Sequence, residues 1–369
     1  MKSVTIIGGG LAGLISSILL ARKGVEVTLL EKKQYPFHRV CGEYISNEVV
    51  PFLQKENLFP SEFNPPLINK FQLTAVNGKS KILPLDLGGF GISRYSLDNF
   101  LYQEATKSGV NFLLNTEVTE VQYQDNQFKV VVNNNEIISD VLLCAFGKRS
   151  KLDVDWKREF TQKRSPYVGI KHHIKINHAH NLIALHNFDG GYCGISNIEH
   201  GKSNLCYLVS RDKLREQGSI AALENNVLCR NPWLKSIFTD SEFLFEKPET
   251  INEISFETKE PVFNHMLMIG DAAGMITPLC GNGMAMAIRS GKIAADNVLD
   301  YVEGKILRND LEINYSKQWN FTFANQLWFG RQVQRLFGSE WASNVAIQLA
   351  VNMEWIAKTI IRNTHGKLF

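Results

Sequence analysis

Val4-Thr5-Ile6-Ile7-Gly8-Gly9-Gly10-Leu11-Ala12-Gly13 decides the fold of this chain. Val4 to Ile7 reads as a short buried strand, Leu14 to Lys23 as a helix, and Val25 to Leu30 as a second strand with Glu31 at its tip. The spacing Gly8-x-Gly10-x-x-Gly13 gives each glycine a job. Gly8 permits the tight turn, Gly10 lets the backbone approach a pyrophosphate, and Gly13 lets the helix pack closely on the strand. The helix N-terminus, reached through Leu11 and Ala12 of the turn, presents free N–H groups and a positive dipole end to phosphates. Glu31 can accept hydrogen bonds from a ribose hydroxyl. The stretch therefore predicts a dinucleotide site; the plainer alternative is a glycine turn in an α/β sheet.

The rest of the composition sets bounds. At 369 residues the chain can hold two domains, or one with a large insertion, and 44% hydrophobic with 21% charged residues is an ordinary globular balance. Forty basic against 37 acidic residues leave a net charge of +3, too balanced to point to nucleic acid. Basic residues cluster at Lys148, Arg149, Lys151, Lys157, Arg158, Lys163 and Arg164. They read as a solvated face, with a landing site for a phosphorylated donor or an anionic membrane as the sharper reading. The six cysteines form no C-x-x-C pair and no His/Cys cluster has zinc spacing, so no metal is expected. They read as reduced thiols of a cytoplasmic protein. The first apolar run is broken by glycines and is itself a strand, which excludes a signal sequence. No run reaches the ~18 apolar residues of a membrane span.

Along the chain, Lys32 to Glu43 reads as a loop leaving the tip of the second strand, and Ser46 to Glu56 as a helix. Phe71 to Val76, Asn77-Gly78 and a return through Ile82 form a hairpin. Tyr95 to Lys107 reads as a helix and Asn111 to Leu113 as a strand. Val118 to Tyr123 and Phe128 to Val132 suggest a meander, and Glu136 to Ala145 one buried strand. Four further strands, from Val168 to Val209, make an inserted, mostly antiparallel sheet, followed by a helix from Arg211 to Cys229. His265 to Ile269 is a last buried strand, with helices at Gly283 to Val302, Asp310 to Phe329 and Trp341 to Arg362.

Four separated motifs then stand together: the first glycine turn with Glu31; Arg39-x-Cys41-Gly42-Glu43; Ala145-Phe146-Gly147-x-x-Ser150; and Gly270-Asp271-Ala272-Ala273-Gly274 with Pro278-x-x-Gly281-x-Gly283. Ser93-Arg94 lies between them, ahead of a helix. This pattern resembles the flavoprotein superfamily of aromatic hydroxylases, flavin-dependent halogenases and geranylgeranyl reductases, and most nearly the geranylgeranyl reductase branch. The resemblance implies an α/β fold: a Rossmann-like FAD-binding domain of the glutathione-reductase and p-hydroxybenzoate-hydroxylase type, an inserted antiparallel substrate domain and a helical C-terminus. The expected division is 1–68, 93–160 and 258–305 for FAD, 69–92 and 161–257 for substrate, and 306–369 for the helical end. Physics supports FAD separately. Asp271 arrives at the carboxyl edge of the sheet, where it can accept from ribitol hydroxyls. The turn from Pro278 to Gly283 opens a second helix N-terminus, able to stabilise negative charge on a reduced flavin. By resemblance the FAD contacts also take in Lys32, Arg39, Cys41, Gly42, Arg94, Val118, Gly147, Asn282 and Met284.

This chain departs from the branch in two places. Phe146-Gly147 stands where members usually have Asp-Gly, which leaves the donor's approach open. The lipid-pocket signature Tyr-x-Trp-x-Phe-Pro corresponds to Tyr192-Cys193-Gly194-Ile195-Ser196-Asn197, where Gly194 and Ser196 would widen the cavity. The halogenase signature Trp-x-Trp-x-Ile-Pro is absent. Cys41 reads as a proton donor or gate, or as a small buried residue; Glu43 as an acid or a helix cap; Arg39 as a phosphate ligand or an exposed side chain. His172 and His173 are strand neighbours, so only one can face a cavity. Both read as core or surface histidines, the Met284 and Met286 side chains as core, and the other cysteines as packing. The expected activity is hydride transfer from FAD to a carbon–carbon double bond of a lipophilic substrate, with NAD(P)H or a ferredoxin-like carrier as transient donor. A membrane-peripheral location is compatible with it. The alternatives are a monooxygenase acting on an aromatic or polyketide-like substrate, and a flavin-bound sensor without turnover.

Overall fold

In the computed structural model the described residues are 2–133, 135–252, 254–277, 281–334 and 366–369. The chain opens with β1 (Ser3–Ile7), α1 (Leu11–Ala21) and β2 (Glu26–Glu31). It continues through β3 (Tyr44–Ser46), α2 (Val50–Lys55), β4 (Leu67–Thr74), β5 (Ser80–Gly91), α3 (Arg94–Lys107) and β6 (Asn111–Leu114). Next come β7 (Val118–Gln124), β8 (Gln127–Val132), β9 (Asn135–Ser139), β10 (Val141–Cys144) and α4 (Lys151–Asp155). The strands β11 (Tyr167–Lys175), β12 (Leu182–Phe188), β13 (Gly191–Asn197) and β14 (Ser203–Ser210) precede α5 (Arg211–Gln217), α6 (Ile220–Asn226) and α7 (Pro232–Asp240). Short strands β15 (Glu242–Phe243), β16 (Glu249–Ile251), β17 (Val262–Phe263) and β18 (Met266–Met268) lead to α8 (Gly283–Val302) and α9 (Arg308–Gln334).

The first sheet has the order β17-β18-β10-β1-β2-β6. β1 lies between β10 and β2 and runs parallel to both. Ile6, Leu29 and Leu143 are wholly buried in it, and trimming any one to alanine costs roughly 2–5 kcal/mol. Helices α1, α3 and α8 cover this sheet; α1 buries Leu11, Leu14, Ile15, Ile18 and Leu20, so it is apolar on nearly every side. The second sheet has the order β15-β11-β14-β13-β12-β4-β5-β3, with β16 paired to β11. It takes its first strand from Tyr44–Ser46, earlier in the chain than the 69–92 segment. One of its faces packs Ile170, Leu205, Tyr207 and Val209 against Leu223, Leu228, Leu234 and Ile237 of the helices that follow. The other face is turned toward the loop after β2. β7, β8 and β9 form a small antiparallel meander.

Three local readings change. Glu136 to Ala145 is two strands, because the chain turns at Asp140, whose carboxylate accepts from the Ser3 N–H at 2.8 Å and pins the corner. Arg211 to Cys229 is not one helix: Gly218 adopts a left-handed φ of 76° that ends α5, and Ser219 caps α6. The segment from Ser46 to Glu56 gives its first residue to β3 and spends a turn of 3₁₀ helix before α2. The helix read at Trp341 to Arg362 lies outside the described residues. Among those described, no helix is long and apolar enough to cross a membrane.

Candidate active site

Two of the three fingerprint glycines are required by the protein itself. Gly8 turns with φ +105°, and a Cβ there would lie 2.5 Å from the Ala145 carbonyl oxygen. A Cβ on Gly13 would lie 2.1 Å from the Gly8 carbonyl oxygen. Gly10 differs. Within 4 Å its Cβ would meet only Arg94 Nη2, at 3.7 Å, so the missing side chain clears space for a ligand. Gly10 is the N-cap of α1 and carries no side-chain cap, which leaves the N–H groups of Leu11 and Ala12 for an anion.

Glu31 is buried and already ordered. Its Oε2 accepts from the Gly9 N–H at 2.9 Å and from Arg39 at 3.2 Å, and its Oε1 from the Lys33 N–H at 3.1 Å. A carboxylate offers about four acceptor sites, so it retains capacity for a ribose hydroxyl. Lys32 beside it is exposed. The Thr116 N–H donates to the Glu31 carbonyl oxygen at 3.0 Å, which brings Val118, the first residue of β7, to the same corner. Arg39 bridges Glu31 and Asp98 and lies over the Phe37 ring. Asp98 also takes both Nε and Nη2 of Arg94 at 2.7 Å. Burial works against the Arg94 charge, but Asp98 outweighs it and the guanidinium is held firmly ionised beside Gly10.

The opposite end of the crevice is built from the last strand of the first sheet. The Gly270 N–H donates to Ser290 Oγ at 2.9 Å, and half-buried Asp271 follows. Burial raises the Asp271 carboxyl, with Lys259, Arg94 and Lys148 pulling it back. Lys259 staples the Gly147 loop to this turn, donating to the carbonyl oxygens of Lys148 and Asp271 at 2.7 Å each. Burial lowers this ammonium to about 8. Gly147 has φ +86° and nothing within 4 Å of where its Cβ would be. Gly281 also turns with positive φ, and Gly283 begins α8 after an Asn282 that supplies no side-chain cap. Asn282 is wholly buried; its amide reaches Glu48 at 3.3 Å and its Oδ1 has no partner. The Met284 side chain is buried core. Pro278 lies outside the described residues. Two uncapped helix starts, an open Gly10 and the orphaned Asn282 Oδ1 fit a long bent dinucleotide whose two ends need separate anchors.

Between these ends the loop from His38 to Glu43 lies on the second sheet. The Lys171 ammonium donates to the Arg39 carbonyl oxygen at 3.1 Å, and the Asn204 amide to the Cys41 carbonyl oxygen at 3.1 Å. Glu43 is fully buried with a left-handed φ of 54°. Its carboxylate takes Lys171 Nζ at 2.5 Å, His173 Nε2 at 2.6 Å and the Arg94 N–H at 2.8 Å. Burial would raise this carboxyl, but Lys171 and His173 more than offset it and hold it below the ordinary range. An anion so held is a poor acid. It caps a helix, but that helix is α3, 51 residues further on, and not the one that follows it in the chain. The Cys41 thiol is raised by burial against the opposing pull of Arg94. Gly42 has open space at its Cβ position.

The face of the second sheet beneath this loop is apolar toward one end. Leu73, Leu185, Tyr192, Leu208 and Ile254 form a buried cluster with Phe71, Ile251, Phe256 and Met275 at its margin. The Tyr192 hydroxyl donates to Gln334 of α9 at 3.4 Å. Gly194 pairs with Leu185 and Cys206, and a Cβ there would touch only backbone at 3.7 Å or more, so the wall is recessed at this point. Ser196 is buried on the same face, two residues along. His173 points to this side. His172 points away and pairs with Glu224 at 2.9 Å, so both histidines are buried and partnered.

His38 stacks on Tyr95 and meets the His173 and Phe245 rings edge-on. Burial lowers it from 6.5 to about 4, helped by Lys171 and His173, with Glu43 opposing. A histidine lowered on folding contributes stability that is full above pH 6.5 and lost as pH falls through about 4. Thermal unfolding across that window is therefore expected to show falling stability in the natural chain and a flatter profile in His38→Phe.

Two anchors in one crevice, with an apolar sheet face beside them, suit an FAD-dependent oxidoreductase. Residues 1–304 match the family described as FAD binding domain, and the chain belongs to that family. It is 24% identical over 343 residues to the digeranylgeranylglycerophospholipid reductase of Methanosarcina acetivorans, covering 88% of this chain and 82% of that one. In fold it is similar to the flavin-dependent brominase Bmp2, with a TM-score of 0.81 at 18% identity over 100% of this chain and 94% of the other. It is likewise similar to PqsL, a probable FAD-dependent monooxygenase from Pseudomonas aeruginosa, with a TM-score of 0.75 at 17% identity over 94% and 99%.

Several site residues carry little signal in the sequence. Asp98 could have been found, since it stands four residues after Arg94 on one helix. Lys171 and Asn204 meet the Cys41 loop only through tertiary contact, and Cys206, read as packing, lies half-buried on the same sheet face.

Proposed function

We propose that this enzyme saturates a carbon–carbon double bond of a lipophilic small molecule, with NAD(P)H or a ferredoxin-like carrier as the transient source of electrons. The observation that carries this reading is the half-buried Cys41 thiol on the loop that Lys171 and Asn204 hold against the second sheet, with Leu185, Tyr192 and Leu208 on the same face of that sheet. Bound FAD, once reduced, supplies the hydride. The chain supplies the rest. The apolar wall holds the substrate and excludes water. Cys41, kept protonated by burial, gives its proton to the second carbon, and the thiolate left behind recovers a proton from solvent. Glu43 stays ionised and fixes the loop that carries the thiol. The relationship to a digeranylgeranylglycerophospholipid reductase supports this choice.

The experiment is an anaerobic single turnover of the reduced holoenzyme with a polyprenyl alcohol in deuterated water. A saturated product carrying solvent deuterium at the protonated carbon is expected. Cys41→Ala is expected to retain FAD and to lose about a hundredfold or more in the saturation rate. An unchanged rate would remove Cys41 from this role. The second reading is oxygen insertion into an aromatic or polyketide-like substrate, favoured by the fold shared with PqsL. It requires no protonated thiol.

A further inference from the structure

On the face of the second sheet that bears the Cys41 loop, Ser196, Asn204 and His173 form one row across three adjacent strands. His173 is engaged by Glu43, and the Asn204 amide by the Cys41 carbonyl oxygen. Two atoms of the row are left over. Ser196 Oγ and Asn204 Oδ1 are both buried, sit on register-paired residues, and have no hydrogen-bond partner. Each residue is 1% exposed, so neither atom is rescued by bulk solvent. An orphaned buried polar group costs roughly 1–3 kcal/mol, and two on register-paired residues, one row from the recess at Gly194, mark a place where a ligand atom belongs. The next row along the same face carries Leu185 and Gly194, where the wall is apolar and recessed.

We infer that Ser196 and Asn204 form a polar notch that recognises a hydroxyl group on the substrate, placed beside the bond that Cys41 serves. The chemistry is complementary: Asn204 Oδ1 can only accept, Ser196 Oγ can donate, and a hydroxyl does both at once. The substrate class is accordingly a lipophilic alcohol and not a pure hydrocarbon. The apolar wall takes the chain while the notch fixes which end enters. This inference rests on the proposed reading of a lipophilic substrate, but its test is binding and does not require turnover.

Farnesol and farnesene, an alcohol and a hydrocarbon of the same prenyl skeleton, are titrated into the oxidised holoenzyme and followed by the perturbation of its visible flavin band. Farnesol is expected to bind about tenfold to hundredfold more tightly than farnesene. In Ser196→Ala and in Ser196→Val that preference is expected to shrink toward one, through loss of farnesol affinity and with farnesene affinity and FAD content retained. Ser196→Thr, which keeps a hydroxyl at the same place, should retain part of the preference. Equal binding of the two probes, binding of neither, or a preference that survives both substitutions would overturn the notch, leaving it as a seat for a buried water. Discrimination without saturation of farnesol under anaerobic reduction would uphold the notch and count against the reductase reading.

Discussion

Gly10→Val is expected to give a folded protein that purifies without colour. The reason lies in what surrounds that position. A Cβ at Gly10 meets a single side-chain atom, Arg94 Nη2 at 3.7 Å, so valine costs the apoprotein little. The same side chain stands where a pyrophosphate must approach the N-terminus of α1. FAD affinity should fall by at least about a hundredfold, roughly 3 kcal/mol, while the far-ultraviolet dichroism spectrum is retained. Gly13→Val is the contrast: its Cβ would lie 2.1 Å from the Gly8 carbonyl oxygen, and loss of the fold is expected. The two variants are compared by dichroism and by FAD titration of the purified apoproteins. A yellow Gly10→Val protein would show that the cofactor does not lie against this turn.

A large, measurable loss of stability is expected at Glu43. Glu43 and Lys171 are wholly buried at 2.5 Å, and His173 and the Arg94 N–H complete the carboxylate's shell. Removing one partner strands the other charge, at a cost of about 3–5 kcal/mol. Glu43→Leu should therefore lower the urea midpoint sharply. The double variant Glu43→Leu with Lys171→Met should recover part of the loss, because no unpaired ion remains. The pH dependence has a defined sign. The Glu43 carboxyl is lowered on folding, so its contribution is full above the ordinary carboxylate value of 4.5 and disappears as pH falls through the lowered one. That window lies below the onset of the His38 effect, so steps in pH separate the two.

Much of this organisation was readable from residue order alone, and the reasons are physical. The first strand, turn, helix and acid are contiguous, and each glycine there answers a local steric need. Asp271 and the Gly281 to Gly283 turn were readable because a strand running into a glycine-rich helix start has few other uses. The helix from Arg211 to Cys229 was overextended because Gly218 inside an otherwise helical pattern is tolerated as often as it terminates. Glu136 to Ala145 looked continuous because Asp140 makes its corner through a contact with Ser3 on the neighbouring strand, 137 residues away in sequence. The sheet face under the Cys41 loop was the least legible part. Glu43 finds Lys171 and His173 across 128 and 130 residues, and no local period encodes such a meeting. Ser196 and Asn204 are adjacent only through the antiparallel register of β13 and β14, which periodicity alone does not reveal.

Electron transfer from the reduced enzyme to an alkene is measured by reducing the holoenzyme anaerobically, mixing it with farnesol without oxygen, and following the return of the visible flavin band together with the mass of the product. Reoxidation coupled to a product heavier by two hydrogen atoms is expected. A flavin that stays reduced until oxygen is admitted, and then yields a hydroxylated product, would overturn the proposed saturation.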